Sequence, residues 1–351
     1  MLVTHLRSSM LSSLEFCQQK VLISYVIGIR EKANPRADMG SAVHKSLELL
    51  ALRKFAEQKK EKIIENEALD RPYDTKEISV DKAFSLGWEH QRKISPEFSQ
   101  WTDEKEIDKY RKMYNSLLKY QGGIYNPLNL NIYQPEQFFE FEIKKPWAKY
   151  SYNIAGKELS GYLKLRGTVD LIIINEDGSY SSLDYKTGKR VNWAKGEWYK
   201  PKIKEYNDLK NDKQLILYYY SLVQILKTYD ISSIIYYLQD GGPYEFAFDE
   251  STYKLAESMI RDEFKKINDI QKPTLTKNLG NSAENFYNKR KCTWCDYNKI
   301  QPKISTKKTV CEFFRSEIVD LGMQKVLDKH VKIESLGAYS GGGREKIAEG
   351  T

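Results

Sequence analysis

Cysteine is scarce in this chain, with four among 351 residues, and several signatures are missing altogether. The N-terminus MLVTHLRSSM has no basic stretch followed by an apolar core, so no secretory signal is visible. No apolar run approaches the length of a membrane span, so no membrane-spanning helix is expected. These two absences imply a reducing, intracellular setting, cytoplasmic or nucleoid-associated, where cysteines read as metal ligands rather than disulfides. Neither Gly341-Gly342-Gly343, which no lysine and Ser/Thr follow at the required spacing, nor Gly40 to Ser46 fits a phosphate-binding loop. The chain therefore carries no helicase motor of its own. It also has no internal repeat.

What is present is a chain of 40% hydrophobic residues, long enough for one large domain or two modest ones, with 56 Lys and Arg against 48 Asp and Glu. The net charge of +8 suits a phosphate-rich partner. Its distribution says more than its total. From Lys186 to Lys213 there are nine Lys or Arg against four Asp or Glu, interleaved with Trp193, Trp198, Tyr199 and Tyr206. Basic side chains track a phosphate backbone and aromatic rings stack on unpaired bases, so Lys189, Arg190, Trp193 and Trp198 are candidate contacts for single-stranded DNA. The alternative is an exposed lysine-rich loop whose aromatics pack on the core.

The chemistry is concentrated in residues 161–188, GYLKLRGTVDLIIINEDGSYSSLDYKTG. Val169 to Ile174 reads as a strand beginning beside Asp170, and Glu176-Asp177-Gly178-Ser179 is a turn short enough to pair it with the strand that carries Asp184-Tyr185-Lys186. Alternate strand residues share a face, so Asp184 and Lys186 project together and Asp170 can stand beside Asp184. Two neighbouring carboxylates repel unless a cation lies between them, and hard oxygen ligands suit Mg²⁺ or Mn²⁺. Lys186 would then orient or deprotonate the attacking water and offset charge on a phosphodiester. A D-x-K triplet by itself usually marks a solvated strand face; the preceding G-x-x-D strand at hairpin spacing separates this one from that background.

Two helices add further candidates. In SAVHKSLELLALRKFAEQKK, Val43, Leu47, Leu50 and Ala51 form an apolar stripe and His44 lies one residue off it, either a hydrogen-bonded core histidine or a metal ligand. Gln214 and Tyr218, four apart, share one face of an otherwise apolar helix, LILYYYSLVQIL.

Taken in order, Gly40-Ser-Ala-Val-His44, Gly167-Thr-Val-Asp170, Asp184-Tyr-Lys186 and Gln214-Leu-Ile-Leu-Tyr218 resemble the G-x-x-x-H, G-x-x-D, D-x-K and Q-x-x-x-Y elements of the RecB-like branch of the PD-(D/E)xK nuclease superfamily. The resemblance implies an α/β, restriction-endonuclease-like core with a mixed central sheet flanked by helices. It implies a divalent-metal deoxyribonuclease with Asp170, Asp184 and Lys186 catalytic, His44, Asp170 and Asp184 around the metal, and Gln214 and Tyr218 beside the substrate. Cys17, the pair Cys292 and Cys295, and Cys311 resemble the cysteines of the subgroup that includes the AddB subunit and the CRISPR-associated adaptation nucleases. There they hold a 4Fe-4S cluster that staples the ends of the domain together. This chain departs from the subgroup in placing Cys311 sixteen residues beyond Cys295, and four thiolates also suit zinc.

The expected organisation has four parts. Residues 1–130 form a helical region with the first cysteine and the histidine motif, 131–272 the nuclease core, 273–315 the cysteine-bearing region, and 316–351 a C-terminal helix and mobile tail. Within the core, Phe139, Phe141 and Ile143 alternate with Glu140 and Glu142 as in a half-buried strand, SSIIYYLQ reads as a strand and Ser251 to Ile270 as a helix. The function expected is an exonuclease favouring single-stranded or frayed ends, in DNA recombination, repair, replication or foreign-DNA processing, with or without a helicase or recombination partner. A non-catalytic DNA-binding subunit and a structure-specific endonuclease are the alternatives.

Overall fold

The alternating and continuous apolar runs between residues 132 and 248, joined by a short strand from the N-terminus, pair into one mixed, six-stranded sheet. The computed structural model describes residues 1–31, 34–95, 97–197, 200–274, 291–299 and 308–336. The strand with Asp170 runs from Lys164 to Ile174. Its whole length pairs antiparallel with the strand Ile132–Glu142, in which Phe139 is buried and Phe141 half-buried, with Ile143 buried just past its end. On its other side two strands share it. His5–Leu6 runs parallel beside Lys164 and Leu165, and Tyr180–Lys186 runs antiparallel beside Leu171 to Ile174. The expected hairpin of Lys164–Ile174 with Tyr180–Lys186 turns through Gly178 at φ +85°, a left-handed position suited to glycine.

The helix Lys213–Leu226 crosses over from the Asp184 strand to the strand Ile231–Tyr237, which pairs with it in parallel, residue for residue. Gly242–Phe248 then adds antiparallel at the edge, and the helix Glu250–Asn268 follows, its first turn capped by the Asp249 carboxylate accepting from Thr252 N–H. Each sheet face has its own core. Against one lie Leu11, Leu217, Tyr219 and Phe264; against the other, Leu47, Leu50, Phe84, Trp88 and Tyr114 with Leu183 and Tyr185.

The helical N-terminal third holds the helices Ser8–Phe16, Pro35–Gln58, Val80–Ile94 and Glu104–Lys119. It also contributes to the sheet and its core. His5 and Leu6 belong to the central sheet, and residues 1–26 supply a large part of one core. The stretch after Lys189 forms a two-stranded hairpin, Val191–Glu197 with Lys200–Ile203, and a short helix, Tyr206–Lys210. Trp198 and the tail after Leu336 lie outside the described residues, as do parts of the cysteine-bearing region. Among the described residues no helix is long and apolar enough to cross a membrane.

Candidate active site

The site lies where the two hairpin strands part. Backbone pairing between them ends at Leu171 and Leu183, so Asp170 and Asp184 are the first residues past the last rung. The Tyr185 N–H donates instead to Asp170 Oδ2 at 3.0 Å, a side chain replacing the lost backbone partner. The Asp184 strand is held on its far flank by Ile231–Tyr237, and the Asp170 strand by Ile132–Glu142, so the fork has rigid arms.

Two motif glycines permit the surrounding helices to approach. A Cβ on Gly40 would stand 2.6 Å from Thr187 Oγ1, at the end of the Asp184 strand. A Cβ on Gly167 would stand 2.6 Å from Phe139 Cζ and 3.3 Å from Tyr218 Cε1. Glycine thus seats the His44 helix against one arm and the Gln214 helix against the other. The His44 helix is started by Asn34, whose side chain accepts from Arg36 N–H, followed by Pro35 in its first turn.

The candidate side chains meet in this fork. His44 Nδ1 lies 3.1 Å from Asp170 Oδ2. Lys186 Nζ donates to Asp184 Oδ1 at 2.9 Å and to Gln214 Oε1 at 3.1 Å. Gln214 Nε2 donates to Asp184 Oδ1 at 3.1 Å and to the Tyr218 hydroxyl at 3.0 Å. Asp184 is only 3% exposed, and burial pushes its carboxyl up to about 6 against the pull of Lys186. For Asp170, burial opposes ionisation, but His44, Lys186 and the Tyr185 amide outweigh it and hold the carboxyl below its ordinary range. Burial likewise opposes the charge on His44, and the Asp170 carboxylate overcomes it and raises the imidazole.

A divalent cation fits this donor set in one respect that the side chains themselves display. Asp184 Oδ2, buried, takes no hydrogen bond, although Lys186 Nζ is 2.7 Å from it outside hydrogen-bond alignment. Among the described residues no three His, Cys, Asp or Glu side chains are arranged as a finished ligand set. The expected trio of His44, Asp170 and Asp184 is instead divided into two ion pairs, because His44 and Lys186 are near enough to neutralise one carboxylate each.

One residue escaped the sequence reading. Glu136 stands across from Asp170, since Pro135 pairs with Leu171 and Gln137 with Val169. Its φ of +43° is left-handed in a non-glycine residue, a conformation that costs about 1–3 kcal/mol. Burial, with Asp170 and Glu48 nearby, pushes its carboxyl up to about 9. The one available signal was Pro135, a proline inside an apparent strand.

The other candidates lie elsewhere. Lys189 is exposed, just past the Asp184 strand. Arg190 is tied to Asp240 at 3.5 Å, donates to the Lys204 carbonyl and lies over the Tyr244 ring at 4.9 Å, so its guanidinium is committed to the protein. Trp193 is on the hairpin strand Val191–Glu197, its side chain outside the described residues. Cys17, Cys292, Cys295 and Cys311 all line one pocket, with Phe16, Lys20 and Tyr297 among its other walls. Burial pushes the Cys295 thiol up to about 11.

With this geometry in place, a family model of the PD-(D/E)XK nuclease superfamily matches residues 7–300, and the chain belongs to that superfamily. No curated protein matches the chain. A solved structure titled "Crystal structure of SSO0001" is similar at 16% identity, covering 85% of this chain and 98% of that one, with a TM-score of 0.21.

Proposed function

We propose that the chain is a divalent-metal-dependent deoxyribonuclease of the RecB-like kind, acting as an exonuclease on single-stranded or frayed DNA ends. The observation that carries this reading is the meeting of His44, Asp170, Asp184, Lys186 and Gln214 at the fork, from four motifs scattered over the matched region. Asp170 and Asp184 would hold Mg²⁺ or Mn²⁺, which when bound polarises the phosphodiester and makes a nearby water more acidic. His44 orients Asp170 as an outer partner, a role that fits its contact with the carboxylate better than direct ligation. Lys186, with Gln214 fixing its ammonium, sits where it can orient the attacking water and offset charge on the phosphate. Hydrolysis forms one P–O bond from that water and breaks one P–O ester bond, and the leaving oxygen takes up a proton.

The gathering of all four cysteines around one pocket supports a 4Fe-4S cluster, with zinc as the other metal suited to four thiolates. Cys311, in the first turn of the helix Val310–Leu321, lines the same pocket as the Cys292–Cys295 pair, although the four thiols do not stand as a finished ligand set. The setting would be recombination, repair, replication or foreign-DNA processing, alone or beside a helicase, in the cytoplasm or on the nucleoid.

The test is digestion of end-labelled single strands, end-labelled duplexes and covalently closed circles with Mg²⁺ or Mn²⁺. The reading expects cleavage of linear DNA, fastest on single strands, with closed circles intact. Cut circles would establish the endonuclease alternative. Binding without cleavage of any of the three would establish a non-catalytic subunit.

A further inference from the structure

One sheet face leaves an aromatic ring exposed beside the fork. Leu165, Val169, Phe139 and Ile143 turn to the opposite face and are buried. Their neighbours Arg166, Thr168, Phe138 and Glu140 therefore share the other face, where the register sets Phe138 across from Thr168 and Glu140 across from Arg166. Phe138 is 49% exposed, a large apolar ring displayed at the middle of a strand. The Arg166 guanidinium lies 5.3 Å from the ring centroid, and Arg166 Nε is 3.4 Å from Glu140 Oε2. The ring is thus backed by a cation that a carboxylate holds in place.

Thr168 is two residues from Asp170 along the same strand, a displacement of about 7 Å. That is the scale of one nucleotide. An extended chain with its reacting phosphate at Asp170 and Asp184 brings a neighbouring base over Phe138. We propose that Phe138, supported by Arg166, is a stacking platform for one unpaired base of the substrate strand next to the scissile phosphate. The inference rests on the nuclease reading and gives that site a single-strand preference of its own, separate from the basic segment after Lys186. Lys164 and Arg166 both lie within ion-pair reach of Glu140, and the register sets Glu142 across from Lys164, so two cations face two carboxylates and the contribution of the patch is stacking, not phosphate pairing.

The test compares wild type, Phe138→Ala, Phe138→Trp and Arg166→Gln for binding of a labelled oligothymidylate without divalent metal, and for its cleavage with Mg²⁺. Base stacking on an aromatic side chain is strong enough that Phe138→Ala should weaken binding about tenfold or more. The slope of log affinity against log salt should stay unchanged, because no phosphate contact is lost. KM should rise while kcat holds, Phe138→Trp should restore binding, and Arg166→Gln should fall between them. Unaltered binding by Phe138→Ala, in a protein whose wild type cleaves DNA, overturns the platform and leaves the nuclease reading intact. A Phe138→Ala variant that binds DNA normally but changes its oligomeric state overturns it in favour of a protein interface. Wild type that neither binds nor cleaves DNA overturns both readings.

Discussion

Gln214 has the most demanding position in the site. Its amide nitrogen serves Asp184 and Tyr218 while its oxygen receives Lys186, so one side chain sets the relative placement of the acid and the ammonium. Gln214→Glu removes both donors and adds a charge beside Asp184. We expect kcat to fall roughly tenfold to a hundredfold, as small misplacements at a reacting centre do, with KM for DNA little changed. A variant with wild-type kcat would show that Gln214 merely fills space. The face Gln214 shares with Tyr218 was legible from their i, i+4 relation, and that of Asp184 with Lys186 from strand alternation, but the place of Gln214 at the site was given only by the resemblance to the Q-x-x-x-Y element. Glu136 was not legible: no periodicity leads to a left-handed glutamate, and only the pairing of its neighbours Pro135 and Gln137 with Leu171 and Val169 places it opposite Asp170.

At the scale of elements, the fork owes its shape to contacts that sequence reasoning could not join. The hairpin Lys164–Ile174 with Tyr180–Lys186 was readable, since its turn chemistry is local. That His5–Leu6 takes the other part of the same strand edge was not, because that pairing spans more than 150 residues and involves a strand only two residues long. The chain ends are also joined without any metal. Tyr297, just beyond Cys295 and fully buried, donates to the Ile29 carbonyl at 2.6 Å and its hydroxyl meets Ser24 Oγ at 2.9 Å. A cluster held by Cys17, Cys292, Cys295 and Cys311 would reinforce a junction that already exists. Protein purified without oxygen should accordingly be brown, with about four irons per chain, and Cys17→Ser should bleach it and lower the melting temperature while leaving a folded protein. Colourless anaerobic protein containing one zinc would replace the cluster with a zinc staple.

Over the whole molecule, two cores on opposite faces of the sheet grip the fork from both sides. The His44 helix belongs to one and the Gln214 helix to the other. The order of the four motifs along the chain was readable, but the division of labour between the two layers was not, because it depends on which face each helix covers. The central claim is that the two layers meet to make a nuclease centre at Asp170, Asp184 and Lys186. Its most direct test is single-turnover cleavage of end-labelled single-stranded DNA with Mg²⁺ by wild type, Asp184→Asn and Lys186→Ala, with Mn²⁺ binding and thermal unfolding measured on the same samples. The account predicts folded variants whose cleavage rates fall by about a thousandfold, with Mn²⁺ affinity lost in Asp184→Asn and largely kept in Lys186→Ala. A folded Asp184→Asn or Lys186→Ala protein that cleaves at the wild-type rate would contradict it.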